Sequence, residues 1–212
     1  MAGCLITFEG VEGAGKSTQL HLLGEWLRAQ GLEVVESREP DGTRLGEAVL
    51  AIFHMDGVTI SPLTELFLFE AARHQHVIEL IRPALARGQI VLSDRFADST
   101  LAYQAYGRGL GLEEVETLNQ WATQGLTPDL TILLDLEIPA AFERIRGRAL
   151  DRFERAGLDF HERVRKGYLE LASREPDRVF LLPADRPVEA VQAEIRGRAK
   201  AFLGERGSVS EL

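Results

Sequence analysis

The run Gly10-Val11-Glu12-Gly13-Ala14-Gly15-Lys16-Ser17-Thr18 has the residue types and the spacing to hold a chain of phosphates. Its glycines admit backbone angles closed to other residues, so successive N–H groups can converge on phosphate oxygens. Lys16 is spaced to reach β- and γ-phosphate oxygens, and the Ser17 hydroxyl to bind Mg²⁺. A glycine-rich turn with a chance lysine would look similar in isolation. Here an apolar run over residues 5–9 enters the loop and a helical pattern leaves it, its N-terminus adding partial positive charge. The pattern implies a nucleoside triphosphate and leaves the reaction open.

Other residues suit a second phosphate. In Ser37-Arg38-Glu39-Pro40-Asp41-Gly42-Thr43, Pro40 and Gly42 predict a turn that aims Arg38 back over the element before it. A guanidinium there can clamp phosphate through two parallel hydrogen bonds, or simply pair with a surface carboxylate. Ser93-Asp94-Arg95 offers a carboxylate for Mg²⁺ or its waters beside another cation. Those two charges could also just neutralise each other. Further on, Arg144, Arg146, Arg148, Arg152 and Arg155 crowd one segment. Arg144 and Arg148 share a helix face, where cations compensate the dipole at a helix C-terminus. The alternative is a mobile lid of about residues 144–157 whose arginines meet the charge spread over a migrating phosphoryl group.

These groups need a scaffold that brings them together. Short apolar runs at 5–9, 33–37, 90–93, 130–135 and 179–182 alternate with helical patterns at 16–30, 63–87, 112–123, 139–148, 159–174 and 188–203. Several of the runs are continuously apolar, as parallel strands covered on both faces must be. Gly31 and Gly88 follow helices as C-caps, Ser61-Pro62 opens one, and Pro139 and Pro187 stand at the starts of others. The alternation predicts one doubly wound α/β domain with a five-stranded parallel sheet, whose ligands sit at the carboxyl ends of the strands. All three phosphate-type groups above follow strand candidates at that end.

Composition agrees. The chain has 212 residues, 45% hydrophobic and 27% charged, enough for one sizeable core. A net charge of −9 disfavours nucleic acid and anionic membranes as partners. The single cysteine, Cys4, lies in an apolar run and suits a reducing compartment; no membrane span or export signal is visible, which predicts a cytoplasmic protein.

Taken together, four stretches resemble bacterial thymidylate kinases over essentially the whole chain. They are Phe8-Glu9 with the glycine-rich loop, Arg38-Glu39-Pro40-Asp41-Gly42-Thr43, the block from Asp94 to Gln104 with Gly107-Arg108-Gly109, and Leu150-Asp151-Arg152-Phe153-Glu154. The resemblance implies transfer of the ATP γ-phosphoryl group to dTMP by a Mg²⁺-dependent homodimer. It implies that Arg38 and Arg95 clamp the dTMP phosphate, that Arg73 meets the thymine edge, and that Phe69 stacks on the ring. Ser99, Thr100 and Gln104 would read the rest of the base, and Tyr103 would lie against the deoxyribose. Glu12 matches a loop carboxylate used near the metal and the sugar, and Lys16, Arg95, Arg144, Arg148 and Arg152 would be catalytic, with Ser17, Asp94 and Glu12 at the metal. One branch of the family carries arginine at the position of Gly13; this chain resembles the branch that keeps its catalytic arginines in the lid. Asp41 stands where the family motif usually has glycine; it can still support the turn, and its added negative charge either tunes acceptor affinity or points outward with little effect.

Rival readings remain a kinase for another monophosphate or for a deoxynucleoside, and a nucleotide-dependent switch. A deoxynucleoside kinase must deprotonate an alcohol and has no use for a phosphate clamp. A guanine-reading Asn-Lys-x-Asp stretch, usual in switches, does not occur.

Overall fold

The computed structural model describes residues 3–55, 57–147, 153 and 155–205. Arg148 and Arg152 therefore lie outside the described residues. Five strands, β1 (Cys4–Glu9), β2 (Val34–Arg38), β3 (Ile90–Asp94), β4 (Leu130–Asp135) and β5 (Val179–Pro183), form one sheet in the order β2-β3-β1-β4-β5. Every pairing is parallel. All of β1 is buried, which explains its unbroken apolar pattern. Alternate residues face opposite ways: Leu5 and Val91 join Val77, Ile81 and Ala84, whereas Ile6, Phe8 and Leu92 join Leu20, Leu23 and Leu27.

The helices are α1 (Lys16–Ala29), α2 (Arg44–Phe53), α3 (Pro62–His76), α4 (Arg82–Ala86), α5 (Ala97–Thr100), α6 (Leu112–Thr123), α7 (Ile138–Arg144), α8 (Leu158–Arg174) and α9 (Val188–Glu205). The long pattern at 63–87 is not one uniform helix. It widens into a π-helical turn at Val77–Ile81 before α4. Pro83 has no N–H to donate and its ring would crowd the carbonyl four residues back, so the ladder must open there. A second π segment, Leu101–Gly107, continues α5. Neither α2 nor α5 was expected from periodicity. Thr43 caps α2 by accepting from the Gly46 N–H at 3.1 Å, and Ser61 caps α3 in the same way from Thr64 at 3.2 Å. Gly31 and Gly88 have φ of 80° and 77°, the left-handed geometry of helix ends.

The parallel register sets the site. Phe8 and Arg38 both pair with Asp94, so the exits of β1, β2 and β3 lie side by side. Among the described residues no helix is long and apolar enough to cross a membrane.

Candidate active site

The loop after β1 turns through Gly10, Gly13 and Gly15, with φ of 136°, 74° and 96°. A Cβ on Gly10 would sit 2.4 Å from the Leu134 carbonyl oxygen, and one on Gly13 2.6 Å from that of Ala141. Backbone packing thus leaves no side chain room at either position. Gly15 caps α1 with no side-chain hydrogen bond, and the first turn carries no acidic residue, so the positive end of the helix remains uncompensated. Lys16 is buried, and its ammonium donates to the Gly10 and Val11 carbonyls at 3.1 and 3.0 Å. Burial first, then the nearby Arg95 charge, lower its pKa to about 8. An anion in the loop would oppose both influences by favouring the ammonium.

Beside the lysine, Ser17 Oγ donates to Asp94 Oδ2 at 2.5 Å. A hydroxyl and a carboxylate at a phosphate loop fit Mg²⁺, which keeps several waters and takes few protein oxygens. Glu12 Oε2 is buried with no hydrogen-bond partner among the described residues. The described residues contain no group of three or more His, Cys, Asp or Glu that could hold a metal ion.

Arg95 joins the loop to the opposite wall. Its backbone has φ 73°, uncommon without glycine, and is held by an N–H to the Phe8 carbonyl at 3.0 Å and by Ser93 Oγ on its own carbonyl at 2.8 Å. Its guanidinium donates to Glu12 at 2.8 Å, to Ser99 at 3.1 Å, and to the hydroxyls of Tyr103 and Tyr168 at 3.2 Å each. Burial disfavours the Glu12 carboxylate, yet Arg95, Lys16 and the Tyr103 hydroxyl at 2.6 Å outweigh it and hold Glu12 below the usual carboxylate range. Beneath these lies Glu9, fully buried, which accepts from the Phe96 N–H, Ser99 and Tyr168. Burial and the neighbouring Asp98 still raise its pKa to about 7.

Arg38 leaves β2 and pairs with Asp41, its guanidinium mostly in solvent. A cleft of about 400 Å³ connects Arg38, Lys16 and Asp94 to Phe69, Arg73, Ser99, Thr100, Tyr103 and Gln104. Its far end is aromatic: Phe69 stacks on Phe53 at 4.8 Å and lies 5.6 Å from Phe153. Arg73 forms the floor, only 2% exposed, donating to Glu39, Glu70, Thr100, Asn119 and the Phe96 carbonyl. A base edge would have to exchange with one of those acceptors. Ser99 faces Glu9 and Arg95 more than the aromatic end, and Gln104 donates to Glu65 at 3.0 Å.

Of the expected lid, Arg144 is described. It donates to the Gly13 carbonyl at 3.3 Å and to that of Ala184 at 2.7 Å, tying α7 to the phosphate loop and the turn after β5. Arg146 instead pairs with Glu143 in solvent. Sequence reasoning assigned no role to Glu9, Glu39, Tyr168 or His161, whose Nδ1 lies 3.7 Å from Glu12 Oε2. Glu9, a charge ending an apolar strand, carried a visible signal; Tyr168 and His161 sit in an ordinary amphipathic pattern and carried none. A larger cavity, about 560 Å³, lies by Asp98, Trp121 and Arg178, but Arg178 is already held by Asp98 and Glu175.

A phosphate loop at the head of a parallel α/β sheet, faced across one cleft by arginines and an aromatic end, defines a P-loop phosphotransferase for a small phosphorylated acceptor. The chain belongs to the thymidylate kinase family, whose model matches residues 8–195. It is 50% identical to the thymidylate kinases of Desulfovibrio desulfuricans, over 95% of this chain and 97% of that one, and of Desulforudis audaxviator, over 97% and 94%. The crystal structure of thymidylate kinase from Ehrlichia chaffeensis superposes with a TM-score of 0.78 at 33% identity, over 93% of this chain and 98% of that one.

Proposed function

We propose that this chain transfers the γ-phosphoryl group of ATP to the 5′-phosphate of dTMP, yielding dTDP and ADP. The observation that carries the reading is the single cleft that joins Lys16 to Arg95 and Arg38 and ends in Phe69 and Tyr103. In it the loop backbone and Lys16 hold the donor phosphates, while Arg38 and Arg95 aim the acceptor phosphate at the γ-phosphorus. A phosphate oxygen of the acceptor attacks; the bond from the γ-phosphorus to the β,γ-bridging oxygen breaks, and ADP leaves with that oxygen. The attacking oxygen is already ionised, so no general base is needed. Mg²⁺, at Ser17 and Asp94 with Glu12 nearby, would neutralise donor phosphate charge.

Glu12, fixed by Arg95 and Tyr103, faces the acceptor sugar in this reading. Tyr103 packs where a 2′-hydroxyl would stand, Phe69 stacks on the base, and Arg73, Thr100 and Gln104 present polar atoms to its edge. Arg144, Arg148 and Arg152 belong to a lid of one single-domain chain, about residues 144–157, that covers the transferring group. Because Gly13 has no room for a side chain, the loop itself supplies no arginine. We further propose a cytoplasmic homodimer. Leu63 and Phe67 on α3 and Trp121 on α6 are exposed, and a partner covering them would bury a sizeable apolar area.

Measuring ADP release with Mg-ATP and a panel of acceptors tests the activity. Fast release with dTMP, and slow release with dCMP, AMP and thymidine, is expected. Release indifferent to the acceptor would overturn the proposal.

A further inference from the structure

Asp41 stands inside the cleft as a built-in anion, and the turn that carries it has little freedom. A Cβ on Gly46 would meet the Pro40 carbonyl oxygen at 1.8 Å and the Asp41 Cα at 3.3 Å, so residues 40 and 41 rest directly on the start of α2. Thr43 fixes the other end of the turn by capping that helix. The Asp41 side chain is 11% exposed, whereas its partner Arg38 is 67% exposed. The pairing is one-sided: a single guanidinium nitrogen, Nη2, meets a single carboxylate oxygen, Oδ2. Both side chains line the same cleft as Lys16, Asp94 and Arg95.

We infer that Asp41 is an affinity-setting residue that pairs with Arg38 and competes with the acceptor phosphate for it. This inference rests on the proposed role of Arg38 at that phosphate. A dianionic phosphate that engages Arg38 must share or displace the Asp41 carboxylate, and it meets that carboxylate's charge while doing so. The cost falls on every ligand whose phosphate sits at Arg38, product included. Asp41 thereby weakens binding of the acceptor and speeds release of the diphosphate. It leaves the phosphate loop and the base end of the cleft untouched.

Calorimetric titration of dTMP, and of thymidine as a ligand without phosphate, tests this on wild type, Asp41→Asn, Asp41→Gly, Arg38→Ala and the Arg38→Ala/Asp41→Asn double variant. Asparagine keeps the turn chemistry, so it controls for a turn loosened by glycine. Since Arg38 is largely solvated, removing the Asp41 carboxylate should tighten dTMP about threefold to fivefold, with thymidine affinity unchanged. In the Arg38→Ala background the same change should have an effect below about twofold. Unchanged or weaker dTMP binding by both Asp41 variants would overturn the inference, as would equal tightening with and without Arg38. If Arg38→Ala alone binds dTMP like wild type, the acceptor-phosphate assignment of Arg38 fails first, and the inference with it.

Discussion

Under the proposed function, Arg95 is where the donor and acceptor halves of the cleft would meet, because its guanidinium touches the loop residue Glu12 on one side and Ser99 and Tyr103 on the other. Replacing it with alanine should lower kcat by about 10²- to 10³-fold, the usual cost of losing a positioned charge in phosphoryl or acyl transfer. ATP affinity should stay within about threefold of wild type, since Lys16 and the loop backbone remain. Steady-state kinetics and nucleotide titration check both; near-normal turnover would remove Arg95 from the acceptor site. Glu9 makes a prediction of another kind. Its pKa is raised from 4.5 to about 7 by burial and by Asp98, against the opposing help of Ser99, Arg95 and Tyr168. The folded chain therefore holds a proton there that the unfolded chain has lost, and stability must fall as pH rises from about 4.5 to about 7. Relative to Glu9→Gln, which cannot titrate, wild type should lose on the order of 2–3 kcal/mol between pH 5 and pH 8. Melting curves at both pH values decide it, and parallel pH dependences would contradict the raised pKa.

At the scale of elements, α7 and β4 press directly against the glycine loop. Gly13 combines φ 74° with a carbonyl of α7 where its Cβ would be. Gly13→Ala should therefore destabilise the chain by about 1–3 kcal/mol and impair catalysis, through backbone strain and displacement of α7. Thermal denaturation together with ADP release tests this; an unperturbed variant would mean that α7 yields easily. The glycine pattern itself is readable from sequence, whereas the identity of the atoms that forbid a side chain is not. Helix α2 shows the complementary case. Its short amphipathic run follows directly on a turn, with no apolar repeat long enough to signal a helix. Only the Thr43 cap and packing of Val49 and Phe53 against Ile60 and Ala72 bring it out. The π turn at Val77–Ile81 likewise needed Pro83 to be read as a disruption within a helix rather than as its end.

For the molecule as a whole, the exposed apolar side chains of α3 and α6 carry the oligomer prediction. Phe67 is 52% exposed and Trp121 78% exposed. Sedimentation equilibrium should give a dimer for wild type and a monomer for Phe67→Glu, because a buried unpaired carboxylate at an apolar interface costs several kcal/mol. A wild-type monomer at micromolar concentration would end that proposal. Sequence alone determined the strand–helix alternation, the phosphate loop and the strand ends that carry Arg38, Asp94 and Arg95. Those features are local: apolar period, glycine spacing and turn residues act over a few neighbours. Tertiary structure decided what the charges do to one another. It put Asp41 on Arg38, sank Arg73 among Glu39, Glu70, Thr100 and Asn119, and set Glu9 beneath Arg95. The Arg73 and Glu9 outcomes depend on burial and on partners brought together by folding, with Arg73 34 positions from Glu39 and 46 from Asn119. The strength of an electrostatic contact follows from distance and solvent exclusion, and neither is written in the order of the residues.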